Sequence, residues 1–485
     1  MNLAETTGGT GTAATTGATG TTGGTGGTSG TGSTSATGAT DIARAPVPAL
    51  AAHWDTVREA FPGGGLPPLD DALRGYLSAA GAAVLPLPDH HGARLRLLDL
   101  CRNPAAPTAA SMGALVTVAR AVAHLRAGGG PVTLLAPSSG NAATALRDAV
   151  LRAYAHGLAE PDGLGVVCLV PARSRGKLRD SELAGLPGLR RRNPVVVHHG
   201  SDPEGVRGLA RAYHRERAEV LHRKYGRSLW LTTGLAGDRA AGAVRALLER
   251  DLMAPPPPGG RVHAQAVDTG AGLLGHRDGT LLLPGAPGTR PAPRYHLVQH
   301  LNTPDLVLRL HFGAFSRAPM PPYAYDAARR LHLQSSDPRF PYAAHSPDEV
   351  LEPSFYSRAP RTAGEVAAMV RAGGGGGSVV SSYECLARYP TVRALLRAAG
   401  VALPEGPGRL REWALVMTLT GVLDALDRGL LGPGVPGGET EVLVHGTGNW
   451  TARDGAPLPG PLMRYADSVD ELDVVVAEAL EEERP

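Results

Sequence analysis

Residues 131–146 read Pro-Val-Thr-Leu-Leu-Ala-Pro-Ser-Ser-Gly-Asn-Ala-Ala-Thr-Ala-Leu, and few folds accommodate that order. The run Val132–Ala136 is short, apolar and partly β-branched, which suits a buried strand. Ser138-Ser139-Gly140-Asn141 is a tight turn of small polar residues, and after it Ala142, Leu146, Ala149, Val150 and Leu151 fall at helical spacing. A strand that turns through small residues into a helix leaves backbone N–H groups unpaired at the positive end of the helix dipole. That corner attracts an anion. Gly140 allows close approach, and Ser138, Ser139 and Asn141 add side-chain donors and acceptors. The same pattern also serves a plain strand-to-helix connection in which Ser or Asn only caps the helix.

The neighbouring chain repeats this alternation. Helical spacing covers Met112–Arg126, Ala142–Gly157, Lys177–Leu189 and Pro203–Val220, and apolar β-branched runs cover Gly165–Pro171 and Pro194–His198. Successive βα units with such strands predict an α/β fold with parallel sheets covered on both faces. Before them, Leu50–Ala60 and Leu69–Ala80 read as helices, and Ala83–Leu87 and Leu95–Leu100 as strands. After them come Leu229–Gly234, a helix at Asp238–Leu252, a strand at Leu297–His300, a flexible joint at Gly373–Gly377 and a strand at Ser378–Ser382. A helix at Leu410–Gly429 and a strand and turn at Glu441–Asn449 follow. The expected domains are a low-complexity tail at 1–40, a large lobe begun by 41–104, a small lobe at 105–230, and a return to the large lobe over 231–485. The tail is almost pure Thr, Gly, Ala and Ser, a composition too poor in apolar area to order itself, so it is read as disordered and dispensable.

Composition removes several function classes. Lys+Arg 48 against Asp+Glu 45 gives a net charge of +3 with no basic tract, which argues against nucleic-acid or membrane-surface binding. No apolar run is long enough to span a bilayer, and no signal-peptide pattern is read at the N-terminus. Cys101, Cys168 and Cys385 lie far apart without metal-ligand or disulfide spacing, which fits a reducing cytoplasm. Only two of the basic residues are lysines, Lys177 and Lys224, and both are read as solvated surface groups.

Ser138-Ser139-Gly140-Asn141-Ala142-Ala143 resembles the loop of the fold-type II pyridoxal-phosphate enzymes, the threonine synthase and tryptophan synthase β-chain superfamily. Val267-Asp-Thr-Gly-Ala-Gly-Leu-Leu-Gly275 falls where that family has its Gly-rich phosphate cup, although Leu273 and Leu274 stand where smaller residues are usual. Val170–Lys177 and Val195–Asp202 resemble the family's second βαβ unit. His445-Gly-Thr-Gly448 resembles the turn that sets a hydroxyl beside the pyridine nitrogen. The resemblance implies a two-lobed fold. It also implies cofactor contacts at Asn141, Gly270, Gly272 and Thr447, and amino-acid contacts at Ser138, Ser139, Gly140, Asn141, Thr108 and Ser111. Asp454 matches the acidic residue that follows that last turn only loosely.

One element of the family pattern is missing. The loop that carries its Schiff-base lysine reads here Asn103-Pro-Ala-Ala-Pro-Thr-Ala-Ala-Ser-Met-Gly113, which puts Ala110 at the lysine position. Alanine can neither attach the cofactor nor shuttle a proton. Three readings stand side by side. The first is a divergent threonine synthase-like enzyme of specialised metabolism, acting on an amino-acid-like substrate with altered chemistry. In it pyridoxal phosphate is held noncovalently or not at all. The second is a noncatalytic relative that binds an amino-acid-like ligand or a partner enzyme. The third is a conventional pyridoxal-phosphate enzyme with a relocated lysine. A homodimer is expected, with no nucleic-acid, membrane or metal partner. The polar and aromatic stretch Leu351–Thr362 suits a substrate-facing loop.

Overall fold

The computed structural model describes residues 46–200, 203–284, 292–434, 437–448 and 455–481. The tail at 1–40 and Asp454 lie outside these residues, as do Ser201 and Asp202.

Two sheets carry the fold. The smaller has five strands, all parallel, in the order Arg464–Tyr465, Val195–His198, Leu164–Pro171, Val132–Pro137, Ser228–Leu231. Its central strand Leu164–Pro171 is buried along its whole length, as a strand with helices on both faces must be. The larger sheet has seven strands in the order Val47–Pro48, Gly81–Pro86, Ala93–Asp99, Thr440–Gly446, Arg261–Ala266, Arg294–His300, Gly376–Val380. Its last five strands are parallel and its first two pair antiparallel. The expected α/β class with parallel sheets is therefore observed. Among the described residues no helix is long and apolar enough to cross a membrane.

The helix Ala110–Arg126 buries ten of its residues, from Ser111 to Val122. Its small side chains share one apolar core with the helices Asn141–Ala155 and Ala236–Leu252. Leu273 and Leu274 are fully buried in a separate core beside the strand Arg294–His300. They occupy their helix's inner face; Gly270 is the N-cap of that helix, and Gly272 lies in its first turn.

Three expectations are corrected. Residues 177–189 are not one helix but a 3-10 turn at Ala172–Lys177 and two short helices, Glu182–Gly185 and Pro187–Arg192. Pro187 has no N–H to continue a helix through that point, and the Lys177 side chain is drawn inward. Residues 373–377 are no flexible joint, because Gly376 and Gly377 already belong to the edge strand and pair with His296 and Leu297. The chain after 231 does not stay in the large lobe, since Arg464–Tyr465 adds a strand to the small sheet by pairing with Val196 and Val197. The helix Val469–Leu480 then covers Val196 and Tyr213 with Leu472, Val475 and Val476.

Candidate active site

A cavity of about 270 Å³ opens where the carboxyl ends of Val132–Pro137, Ser228–Leu231, Arg261–Ala266 and Thr440–Gly446 converge. Parallel sheets place their ligand sites at these strand ends. Thr108, Ser138, Ser139, Asn141, Gly270, Gly272 and Thr447 all line it, so residues spread over 340 positions of sequence meet at one wall. Ala110 lines it too. Ser354, Phe355 and Tyr356 complete one side, which makes part of the 351–362 stretch a cavity wall.

The Ser138–Asn141 turn is more committed internally than its sequence suggests. The Ser138 hydroxyl accepts hydrogen bonds from the backbone N–H of Gly140 (3.1 Å) and Ala143 (2.9 Å), and so caps the helix Asn141–Ala155. Gly140 has φ +118°, a conformation strained for any other residue, and a Cβ there would lie 2.8 Å from Lys177 Cβ. Gly140 itself faces Lys177 rather than the cavity, which corrects its expected substrate contact. The Asn141 amide donates one of its two Nδ2 hydrogens to Glu412 Oε2, and its Oδ1 acceptor has no protein partner. Ser111 is 2% exposed and donates to the Ala106 carbonyl at 2.7 Å, which makes it a loop tether behind the wall. The Thr108 hydroxyl donates to the Thr447 carbonyl at 3.2 Å and ties two walls together.

Lys177 is not a solvated surface lysine. Its side chain is 8% exposed and lies directly beneath the turn, where Nζ donates to Glu352 Oε1, to Glu412 Oε2 at 2.9 Å and to Ser354 Oγ at 3.4 Å. Burial opposes the Lys177 charge, but the two carboxylates outweigh it and hold the ammonium above its usual range. Burial likewise opposes the Glu352 charge, yet Lys177 holds that carboxyl below its usual range. Glu412 is pushed up, first by burial and then by the Glu352 charge. One cation therefore serves two carboxyls, and Glu412, which lines the cavity, is the one disposed to carry a proton. Lys224, by contrast, is fully exposed at the end of the helix Pro203–Tyr225, over the Tyr225 ring.

Two further charged residues come from the helix Ala236–Leu252. Asp238 is open to the cavity but enclosed by its walls, and this enclosure raises its carboxyl to about 6, with Arg245 offsetting only part. Arg245 is 6% exposed, and burial lowers it to about 10. It donates from NH1 to Gln265 Oε1 at 2.6 Å and to His445 Nδ1 at 3.3 Å. Its guanidinium occupies the space that a Cβ on Gly272 would fill, so the glycine turn and the cation form one surface. Neither Asp238, Arg245, Glu352 nor Glu412 was singled out from the sequence. One usable signal was the spacing of Asp238 and Arg245, seven residues apart on an Ala-rich helix. The other was a rare lysine where this chain otherwise uses arginine.

Two mainly parallel lobes meeting at a cleft that collects a Ser-Ser-Gly-Asn turn and a glycine turn define the class: this is the fold of the fold-type II pyridoxal-phosphate enzymes. Among solved structures, threonine synthase from Escherichia coli matches with a TM-score of 0.52 at 14% identity, over 89% of this chain and 96% of that chain. Pyridoxal-phosphate-bound threonine synthase from Brucella melitensis matches with a TM-score of 0.51 at 12% identity, over 81% of this chain and 80% of that one. The chain itself belongs to a family of unknown function, DUF6002, whose profile matches residues 41–480. Comparison with curated proteins finds no match.

Proposed function

We propose that the chain is a divergent threonine synthase-like enzyme that takes an amino-acid-like substrate in this cavity without a Schiff-base lysine. The observation that carries the reading is the pattern of polar groups on the cavity wall. Asn141 Oδ1, Thr447 Oγ1 and Arg245 Nε have no protein hydrogen-bond partner, and Asp238 stands beside them as a carboxyl open to the cavity. Buried polar groups are rarely left unpaired unless a ligand or water completes them. Acceptors at Asn141 and Asp238 suit an ammonium group, and donors at Arg245 and Thr447 suit a carboxylate or phosphate. With a carboxyl value of about 6, Asp238 exchanges a proton at its carboxylate oxygens near neutral pH, as a general acid or base requires. Arg245, two turns further along the same helix, neutralises developing negative charge.

The wall also fits pyridoxal phosphate held noncovalently. Thr447 Oγ1 would face its ring nitrogen, and the Gly270–Gly272 turn with Arg245 would hold its phosphate. The cofactor's contribution there is an electron sink for charge developing on the substrate. Covalent attachment does not fit. Ala110 offers no amine, and Lys177 is protonated between two carboxylates with Glu412 interposed between it and the cavity. This geometry speaks against a relocated lysine. A noncatalytic ligand-binding relative would share the wall.

The test is calorimetric titration with L-serine, L-threonine and L-homoserine, each against its hydroxy acid lacking the amino group, with and without pyridoxal phosphate. At least one amino acid should bind at least about 10-fold more tightly than its hydroxy-acid counterpart, the worth of one charged hydrogen bond. Failure of all three amino acids, or equal binding of both series, would overturn the reading.

A further inference from the structure

Behind the Arg245 wall lies a second cluster that the cavity chemistry does not use. Glu249 of the helix Ala236–Leu252, His263 of the strand Arg261–Ala266 and His276 of the helix Ala271–Leu282 each turn one ligand atom toward a common point. His276 Nε2 lies 3.0 Å and His263 Nε2 3.7 Å from Glu249 Oε2. Ligand atoms about 2.0–2.2 Å from one metal ion are about 3.0–3.5 Å from each other; the two separations from Glu249 Oε2 lie near this range, and all three atoms lie within 4.8 Å of one another. The side chains of His263 and His276 are 3% and 1% exposed and that of Glu249 16%, so the donors are held in place by packing.

The surroundings complete the arrangement. His276 Nδ1 is 2.9 Å from the Tyr295 hydroxyl, and His263 Nδ1 is 3.2 Å from His445 Nε2. Each imidazole thus has its far nitrogen engaged, as metal-bound histidines do. Arg261 binds the other Glu249 oxygen and donates from Nε to Glu441 Oε1 at 2.6 Å. Arg261 is shared between Glu249 and Glu441, and Arg94 faces Glu441 at 3.7 Å, so Glu249 is not the sole partner of one cation. A cavity of about 800 Å³ is lined by Glu249 and His263 themselves, which gives an ion a route in and leaves a coordination position facing solvent.

We propose that Glu249, His263 and His276 bind a divalent first-row transition-metal ion of the zinc type, with an open position toward this second cavity. Two imidazoles and one carboxylate select such ions over calcium or magnesium, which prefer all-oxygen sites. Binding requires the Nδ1–H form of both histidines, so each then donates to Tyr295 or His445. His445 must release the long hydrogen bond from Arg245, and the ion thereby reaches the cavity cation through one intermediate side chain. The inference stands on its own geometry and does not depend on the substrate reading.

Co(II) titration of the untagged, chelator-stripped protein tests it, because Co(II) on nitrogen and oxygen ligands absorbs visibly. The expected result is saturation at one equivalent, displacement by Zn(II) and a raised melting temperature. His276→Asn should abolish the signal, and Tyr295→Phe, which spares every ligand, should weaken binding about 10- to 100-fold. His91→Ala, in the surface group His90, His91 and Asp427, should leave it unchanged. A folded wild type that gives no ligand-field absorption, or a signal that survives His276→Asn and falls with His91→Ala, would overturn the proposal.

Discussion

Replacing Lys177 by Met separates a buried triad from a surface lysine by magnitude. Exposed ion pairs contribute about 0–1 kcal/mol. In the structure the substitution strips the counter-ion from Glu352 and Glu412, whose side chains are 0% and 1% exposed. An uncompensated buried carboxylate costs about 3–5 kcal/mol, unless it takes up a proton. A proton on a carboxyl of ordinary value costs about 1.36 kcal/mol per pH unit above about 4.3, hence about 1 kcal/mol near pH 5 and about 5 kcal/mol near pH 8. Lys177 holds Glu352 below its ordinary value, so in the wild type this contribution is present above the ordinary carboxylate range and is lost as pH falls through the lowered value. Without Lys177 the sign reverses. Both carboxyls are then raised, and stability falls as pH rises through their elevated values. Urea unfolding of Lys177→Met should therefore show a loss of about 1 kcal/mol near pH 5 and about 3–5 kcal/mol near pH 8. Adding Glu352→Gln should recover most of the loss at the higher pH. A loss below about 1 kcal/mol at both values would refute the triad.

Asn141→Asp sets a carboxylate against Glu412 and should destabilise more than Asn141→Ala in thermal melts, whereas a residue that only caps its helix would make Asp nearly silent. Amino-acid affinity should fall as pH drops through about 6, where Asp238 gains a proton and ceases to attract the ammonium group, and Asp238→Asn should bind weakly at every pH in the same titration. Gly272→Ala should displace the Arg245 guanidinium and weaken carboxylate or phosphate binding by calorimetry, while leaving Thr447 and Asn141 in place.

What the sequence disclosed about the fold is what is local. The strand Val132–Pro137, its turn and the following helix need only neighbours in the chain, and the same holds for the buried run Leu164–Pro171. The polar interior was legible only in part. Lys177, Glu352 and Glu412 come from three separate segments, up to 235 positions apart, and their pairing exists only once the lobes close around the Ser138–Asn141 turn. A lysine surrounded by arginines in sequence looks solvated, because the apolar and acidic groups that enclose it arrive from elsewhere. The hydrogen bond from Asn141 to Glu412 is hidden in the sequence for the same reason, since Glu412 is 271 residues away. The addition of Arg464–Tyr465 to the small sheet escaped notice because two residues carry no periodicity.

Absorption titration with pyridoxal phosphate, followed by borohydride reduction and peptide mapping, shows directly whether the cleft holds its ligand without a Schiff-base lysine. The expected result is either no binding or reversible binding, removed by dialysis, and no reduced adduct on Lys177 or Lys224. A stoichiometric pyridoxyl adduct on Lys177 would contradict it and return the chain to the conventional chemistry of its fold.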